Sequence, residues 1–201
     1  MESKNYFLAI SGLINELILN KNINITKYSI KSGYPEHYIK FLEEENNVII
    51  ADPIKAFYNK IGSVEIQWDS ANGDLDLFGE INIVDIDQFL NLKNYQEYWM
   101  RRFNESNDEE QNKFMLMAKP FDYFNSDETE IAFFKQTDNQ IKDKLYYFKS
   151  GYGYSNLNLS IDEYFDKIIE TKGLTKWQEL FLIGKFEEIQ NSVKMIFNKD
   201  N

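Results

Sequence analysis

Between Asp52 and Trp68, DPIKAFYNKIGSVEIQW, the apolar period of this chain changes from helical to extended with no linker between. Ile54, Phe57, Tyr58 and Ile61 fall at i, i+3, i+4 and i+7, which lines one helical face for burial. Val64, Ile66 and Trp68 then alternate with Ser63, Glu65 and Gln67, the pattern of a strand with one buried face. The boundaries carry signals of their own. Asp52 can accept from the free amides of a first helical turn, and Pro53 stands where a missing N–H costs nothing. Gly62 stands where a left-handed cap is easiest. A helix and a strand joined this tightly must pack on each other, so the expected class is α+β.

The flanking sequence extends that expectation. Tyr6, Ile10, Leu13, Ile14 and Leu17 recur at helical spacing and predict an amphipathic helix over about residues 5 to 20. A polar link, Asn20 to Thr26, leads to a second short helix that Pro35 can start, with Tyr38, Phe41 and Leu42 turned inward. Asn72-Gly73, inside DSANGDLD, is a strong hairpin signal and predicts pairing of the Trp68 strand with one carrying Leu77, Gly79, Ile81 and Ile83 on a shared face. Gly79 in that run suggests a bulge or a close backbone approach. Asp87 can cap a short segment through Phe89 and Leu90. PFDYFN, EIAFFK and KLYYFK, starting at Pro120, Glu130 and Lys144, read as successive strands separated by polar turns, hence an antiparallel sheet. Gly151 and Gly153 break the chain before Asn156 to Leu159. Ser160 then caps a helix with Ile161, Tyr164, Phe165, Ile168 and Ile169 inward, ended by Gly173. A last helix is expected from Thr175 through Trp177, Leu180 and Phe181, continuing to Ile189, Val193 and Ile196.

The overall expectation is a single domain built on a mainly antiparallel twisted sheet flanked by helices. It divides into an N-terminal helical segment (1–47), a core (48–185) and a C-terminal helical extension (186–201). A length of 201 residues suits one substantial core, and 43% hydrophobic with 16% aromatic residues argues against disorder. The first residues, MESKNYFLAISGLINELIL, lack a basic leader and an unbroken apolar run, so neither a signal peptide nor a membrane span is expected and a cytoplasmic location is the working assumption.

Charge narrows the partners. With 33 acidic and 22 basic side chains the formal charge is −11, which repels nucleic-acid phosphates and anionic lipid and attracts a basic protein. Solubility alone would also be served by this balance. The absence of cysteine removes disulfides, thiolate catalysis and cysteine-ligated zinc. His37 is the sole histidine, so a two-histidine metal site cannot be assembled in one chain, and its place after Pro35-Glu36 at an expected helix start, among polar and charged residues, argues against a ligand or catalytic role. Asp74, Asp76, Gly79, Ile81 and Asp85 overlap a calcium-loop pattern, but Phe78 removes a ligand position and Asp85 replaces the usual bidentate Glu. No phosphate-cradling glycine motif is present, Gly151-Tyr152-Gly153 being too short for one. No catalytic residue, metal or cofactor is therefore expected, although a hydrolase built on carboxylates alone stays open. Most of the 13 Tyr, 16 Phe and 3 Trp must be core. The expected partner-binding exceptions are Trp68 with Asp69, Asp74, Asp76 and Glu80, an aromatic anchor in an anionic rim, and a second group, Tyr95, Tyr98 and Trp99.

The helix ending in Phe57-Tyr58, the turn through Gly62, the strand ending at Trp68 and the following LFGEINIV (Leu77 to Val84) together resemble the SUKH superfamily. SIDEYFDKIIETKGLTKWQELF, Ser160 to Phe181, is similar to its closing helix. The resemblance covers about residues 50 to 181 with a divergent middle, and Ile61-Gly62 stands where the family often has Asn-Gly. It implies a SUKH-like fold and a non-enzymatic, protein-binding role. The expected role is an immunity protein that neutralises a cognate bacterial toxin, such as a basic nuclease. The alternative is a regulatory or scaffolding module of the cell-wall-assembly-regulator branch that binds endogenous proteins.

Overall fold

The computed structural model describes residues 4–71, 77–90, 109–123, 130–149 and 151–197. The helices among them are α1 (Tyr6–Leu19), α2 (Glu36–Asn46), α3 (Asp52–Tyr58), α4 (Ile86–Leu90), α5 (Glu109–Met117), α6 (Ile161–Thr171), α7 (Trp177–Leu182) and α8 (Phe186–Phe197). The strands are β1 (Ile23–Ser32), β2 (Ile49–Ile50), β3 (Ile61–Ser70), β4 (Phe78–Ile83), β5 (Ala118–Tyr123), β6 (Glu130–Thr137), β7 (Gln140–Lys149) and β8 (Gly153–Leu159). The strands form one mainly antiparallel sheet in the order β1-β3-β4-β5-β6-β7-β2, with β8 also on β7. The outer side of β7 is shared. Gln140 and Ile141 take the short parallel strand β2, and Leu145 to Lys149 take β8.

One face of the sheet carries the main core. Ile10, Leu13 and Leu17 of α1, Ile54, Phe57 and Tyr58 of α3, and Tyr164, Phe165 and Ile168 of α6 pack with Val64, Ile66, Trp68, Ile81 and Ile83. Ile189, Val193 and Ile196 of α8 belong to the same cluster, so both terminal segments are sealed into one core. On the opposite face α5 covers a smaller apolar group, in which Phe114 stacks on Phe148 with centroids 4.6 Å apart and meets Phe133 edge-on.

Several boundaries differ from expectation for identifiable reasons. The helix α3 begins one residue early: Ala51 is its N-cap, because the Ala51 N–H is bonded to Ile141 O as β2 leaves β7. Asp52 lies inside the helix and pairs with Lys55 at 3.0 Å. Gly62 is no cap. The helix stops at Tyr58 and Gly62 is a strand residue whose missing Cβ leaves room for Ser32 O and the Tyr34 ring. Asp85, two residues before Asp87, caps α4: its Oδ1 accepts from Asp87 N at 2.9 Å while Gln88 Oε1 accepts from Asp85 N, a reciprocal box. Phe41 points outward, half-exposed, and Ile39 and Leu42 are the buried pair of α2. Gly184, at φ +73°, divides the expected last helix into α7 and α8.

The strand β1 replaces most of the expected polar link. Its apolar residues run Ile23, Ile25, Tyr28, Ile30, and the register slips against β3 between Ile25 and Lys27. That bulge breaks the alternation that would mark a strand. Elsewhere expectation and structure agree. The strands β3 and β4 pair antiparallel with Trp68 opposite Gly79, and β5, β6 and β7 follow in antiparallel succession. The helix α6 opens with the Ser160–Glu163 capping box and is followed by Gly173 at φ +68°. No helix among the described residues is long and apolar enough to cross a membrane.

Candidate functional site

Trp68 is a core side chain rather than a surface anchor. It is 1% exposed, its Nε1 donates to Lys172 O at 2.7 Å, and its ring meets Phe197 edge-on. Gly79 opposite makes this possible, since a Cβ there would overlap the indole. Glu80 is also buried, at 2% exposure, and accepts from Gln67 Nε2 at 3.2 Å. Of that expected anionic rim, Asp69 is exposed, at the end of β3 opposite the partly exposed Phe78. Asp74 and Asp76 lie outside the described residues, as do Tyr95, Tyr98 and Trp99. Phe78 to Ile83 is a strand, which removes the calcium-loop geometry, and Asp85 caps α4 through its Oδ1. His37 is an exposed residue of α2. Among the described residues no group of three or more His, Asp or Glu side chains is placed to hold a metal ion.

What the fold does assemble at the surface is an aromatic strip over two carboxylates. Pro35, at φ −66° and ψ 148°, sets the entry to α2, and the Tyr34 N–H is fixed by Tyr58 O at 2.8 Å. Tyr34, Tyr38 and Phe41 then stand at i, i+4 and i+7. Tyr34 and Tyr38 stack with centroids 5.3 Å apart, and Tyr38 and Phe41 follow at 6.4 Å. The Tyr34 hydroxyl donates to Asp85 Oδ2, and the Tyr38 hydroxyl to Asp87 Oδ2 at 3.1 Å. Burial first, then these bonds to carboxylates, hold both phenols above their ordinary range, so they stay protonated donors. Lys31 Nζ, 3.8 Å from Asp85 Oδ2, is the cation that the described residues bring to the pair. The result is a ladder of ring faces, with Phe41 51% exposed at its end, flanked by two neighbouring acids that the ladder itself orients.

A second polar group is sealed inside. Between β4 and β5 the sheet pairs only at Ile83 and Asp122; farther along, Gly173 to Thr175 takes the place of β5 beside β4, with Glu80 N bonded to Gly173 O at 2.8 Å. Asp122 fills the fork. Its Oδ1 accepts from Asn82 N and its Oδ2 from the Tyr164 hydroxyl, both at 2.9 Å, and Gln178 Nε2 donates to the same hydroxyl. Burial, reinforced by the charge of Glu80, pushes the Asp122 carboxyl up to about 7. A carboxyl at that value could serve as a general acid or base. At 1% exposure, with both oxygens engaged, Asp122 is placed to satisfy the open strand edge.

Neither group is legible as a site in the sequence. Tyr34, Tyr38 and Phe41 carry a legible i, i+4, i+7 stripe, but the same stripe is what an inward face shows. Asp85 and Asp87 reach it from 51 and 49 residues away, a proximity with no local signature. Compared with known proteins, the chain matches no family model and no curated protein sequence.

Proposed function

We propose that this chain is a non-enzymatic binding protein that neutralises a basic partner protein, as an immunity protein of the SUKH type does for its toxin. The observation that carries the reading is the Tyr34–Tyr38–Phe41 ladder beside Asp85 and Asp87 on a chain of net charge −11. A lysine or arginine of the partner would lie on the ring faces and reach the carboxylates in one pose, combining cation–π attraction with charge pairing. The long-range field of the acidic chain would steer such a partner and speed its encounter. An acidic inhibitor of a nuclease would compete with nucleic acid for the same cationic groups.

The test begins with recovery of the partner from the native cells at low salt on the tagged chain. The recovered protein is then expressed alone and with this chain. A basic protein that is lethal alone and harmless in company supports immunity. Binding is then measured by calorimetry for the native chain, Phe41→Ala and Asp87→Asn, at low and high salt. A loss of roughly tenfold or more in each variant, corresponding to about 1.4 kcal/mol, together with weaker binding at high salt, supports the strip. Unchanged affinity in both variants removes the strip. Recovery of envelope-assembly or other endogenous proteins, none of them lethal, replaces immunity by the regulatory role.

A further inference from the structure

The outward face of α1 differs from the rest of this acidic chain. Leu8, Gly12, Asn15 and Leu19 form one stripe at spacings of four, three and four residues, flanked by Phe7, Ser11 and Ile18. Phe7, Leu8, Ile18 and Leu19 are 51%, 67%, 56% and 81% exposed, although the opposite side of the same helix is fully sealed in the core. The stripe and that flank carry no charge. Glu16, the only ionisable side chain of Tyr6–Leu19 besides Tyr6, is tied to Lys172 at 2.7 Å. Among the described residues nothing requires a glycine at position 12: a Cβ there would meet nothing within 4 Å, and glycine inside a helix is destabilising relative to alanine.

We infer that the outward face of α1 is the contact surface between two copies of this chain, with the two helices antiparallel about a two-fold axis. Three observations select a second copy as the occupant. The stripe is complementary to itself: turned end for end about a point between Leu13 and Ile14, Leu8 meets the other copy's Leu19 and Gly12 meets its Asn15, as a two-fold contact requires. Two chains of charge −11 repel each other, which disfavours contacts that bring carboxylates together, and this stripe brings none. A cationic partner, by contrast, finds no acid in the stripe to pair with, whereas the strip on α2 offers two. Gly12 at the crossing lets the helix backbones approach, and the Asn15 amide then lies beside exposed backbone of the facing helix.

The experiment is sedimentation velocity of the full chain over roughly 1 μM to 1 mM, the affinity range of small interfaces. The native chain is expected to pass from monomer to dimer with concentration. Leu8→Glu and Leu19→Lys, each alone, are expected to weaken association at least tenfold while leaving the circular-dichroism melt unchanged, because both side chains are exposed. An equimolar mixture of the two variants is expected to recover the dimer, since antiparallel pairing brings position 8 of one variant against position 19 of the other. Gly12→Ala separates the contact from fold stability: it should raise the melting temperature of the monomer yet weaken the dimer. A native chain that stays monomeric throughout overturns the inference. So does a dimer indifferent to both charge variants, and a mixture that fails to recover association overturns the antiparallel arrangement.

Discussion

Replacing Asp122 by Asn tests the buried fork between β4 and β5 through the pH dependence of stability. In the unfolded chain this carboxyl has its ordinary value of 3.8; burial raises it to about 7 in the folded protein. Below about pH 4 both states hold the proton and position 122 adds no pH dependence. Between about 4 and 7 the unfolded state releases the proton while the folded state keeps it, so the folded state binds more protons and stability falls as pH rises. Above about 7 both states are ionised and the full cost of the buried charge is present. Three pKa units at 1.36 kcal/mol each make that cost about 4 kcal/mol. The amide cannot ionise, yet its oxygen can accept from Asn82 N and its NH2 can donate to the Tyr164 hydroxyl. Asp122→Asn should therefore match the native chain near pH 4 and exceed it by up to about 4 kcal/mol at pH 8. Urea unfolding followed by tryptophan fluorescence, with Trp68 and Trp177 both buried, reads this directly. Comparing variant with native chain at each pH cancels the groups that do not interact with Asp122, including Glu163, whose carboxyl the Ser160 bonds hold below its ordinary value. A difference that stays constant from pH 4 to 8, or a variant less stable than the native chain at pH 8, refutes the reasoning.

Gly79→Ala places a methyl in the Trp68 indole and should cost roughly 1–3 kcal/mol by overpacking; thermal unfolding with a shift in tryptophan emission checks it, and an unchanged melt would mean the sheet yields freely. Ser160→Ala removes the capping box of α6 and should lower stability by about 1 kcal/mol, measured by urea titration. Phe41→Ala, at a half-exposed ring, should change stability by less than about 1 kcal/mol, so that any loss of partner binding in this variant reports on the surface; a large drop in melting temperature would show that the ring supports the fold.

The residues that announced themselves correctly did so through short-range physics. The α1 stripe Tyr6, Ile10, Leu13, Ile14 and Leu17 is buried as its spacing required. Ser160 and Glu163 satisfy each other within one turn, and Gly151, in the turn after β7, and Gly153, the first residue of β8, both take positive φ. Misplaced boundaries arose where a local signal met a distant constraint. Asp52 has the chemistry of a cap, but the bond from Ala51 to β7 moves the helix start forward. Gly62 has the chemistry of a stop, but the close approach of β1 uses its missing side chain.

The sequence by itself determined the class of the fold: where the period is 3.6 or 2, where the Ser160–Glu163 box opens α6, and which residues one face of α1, α3 and α6 must bury. These depend on contacts within a turn or between neighbours along a strand, and such contacts are written in adjacent residues. Only the tertiary structure decided that Trp68 and Glu80 lie inside, that Asp122 fills a fork in the sheet, and that Asp85 and Asp87 meet Tyr34 and Tyr38 at the surface. Each of those outcomes depends on what covers the residue's outward side, and the covering segment comes from far along the chain: Lys172 over Trp68, Tyr164 on Asp122, α2 beside α4. Alternation shows that a strand has two faces; packing selects which of them meets water.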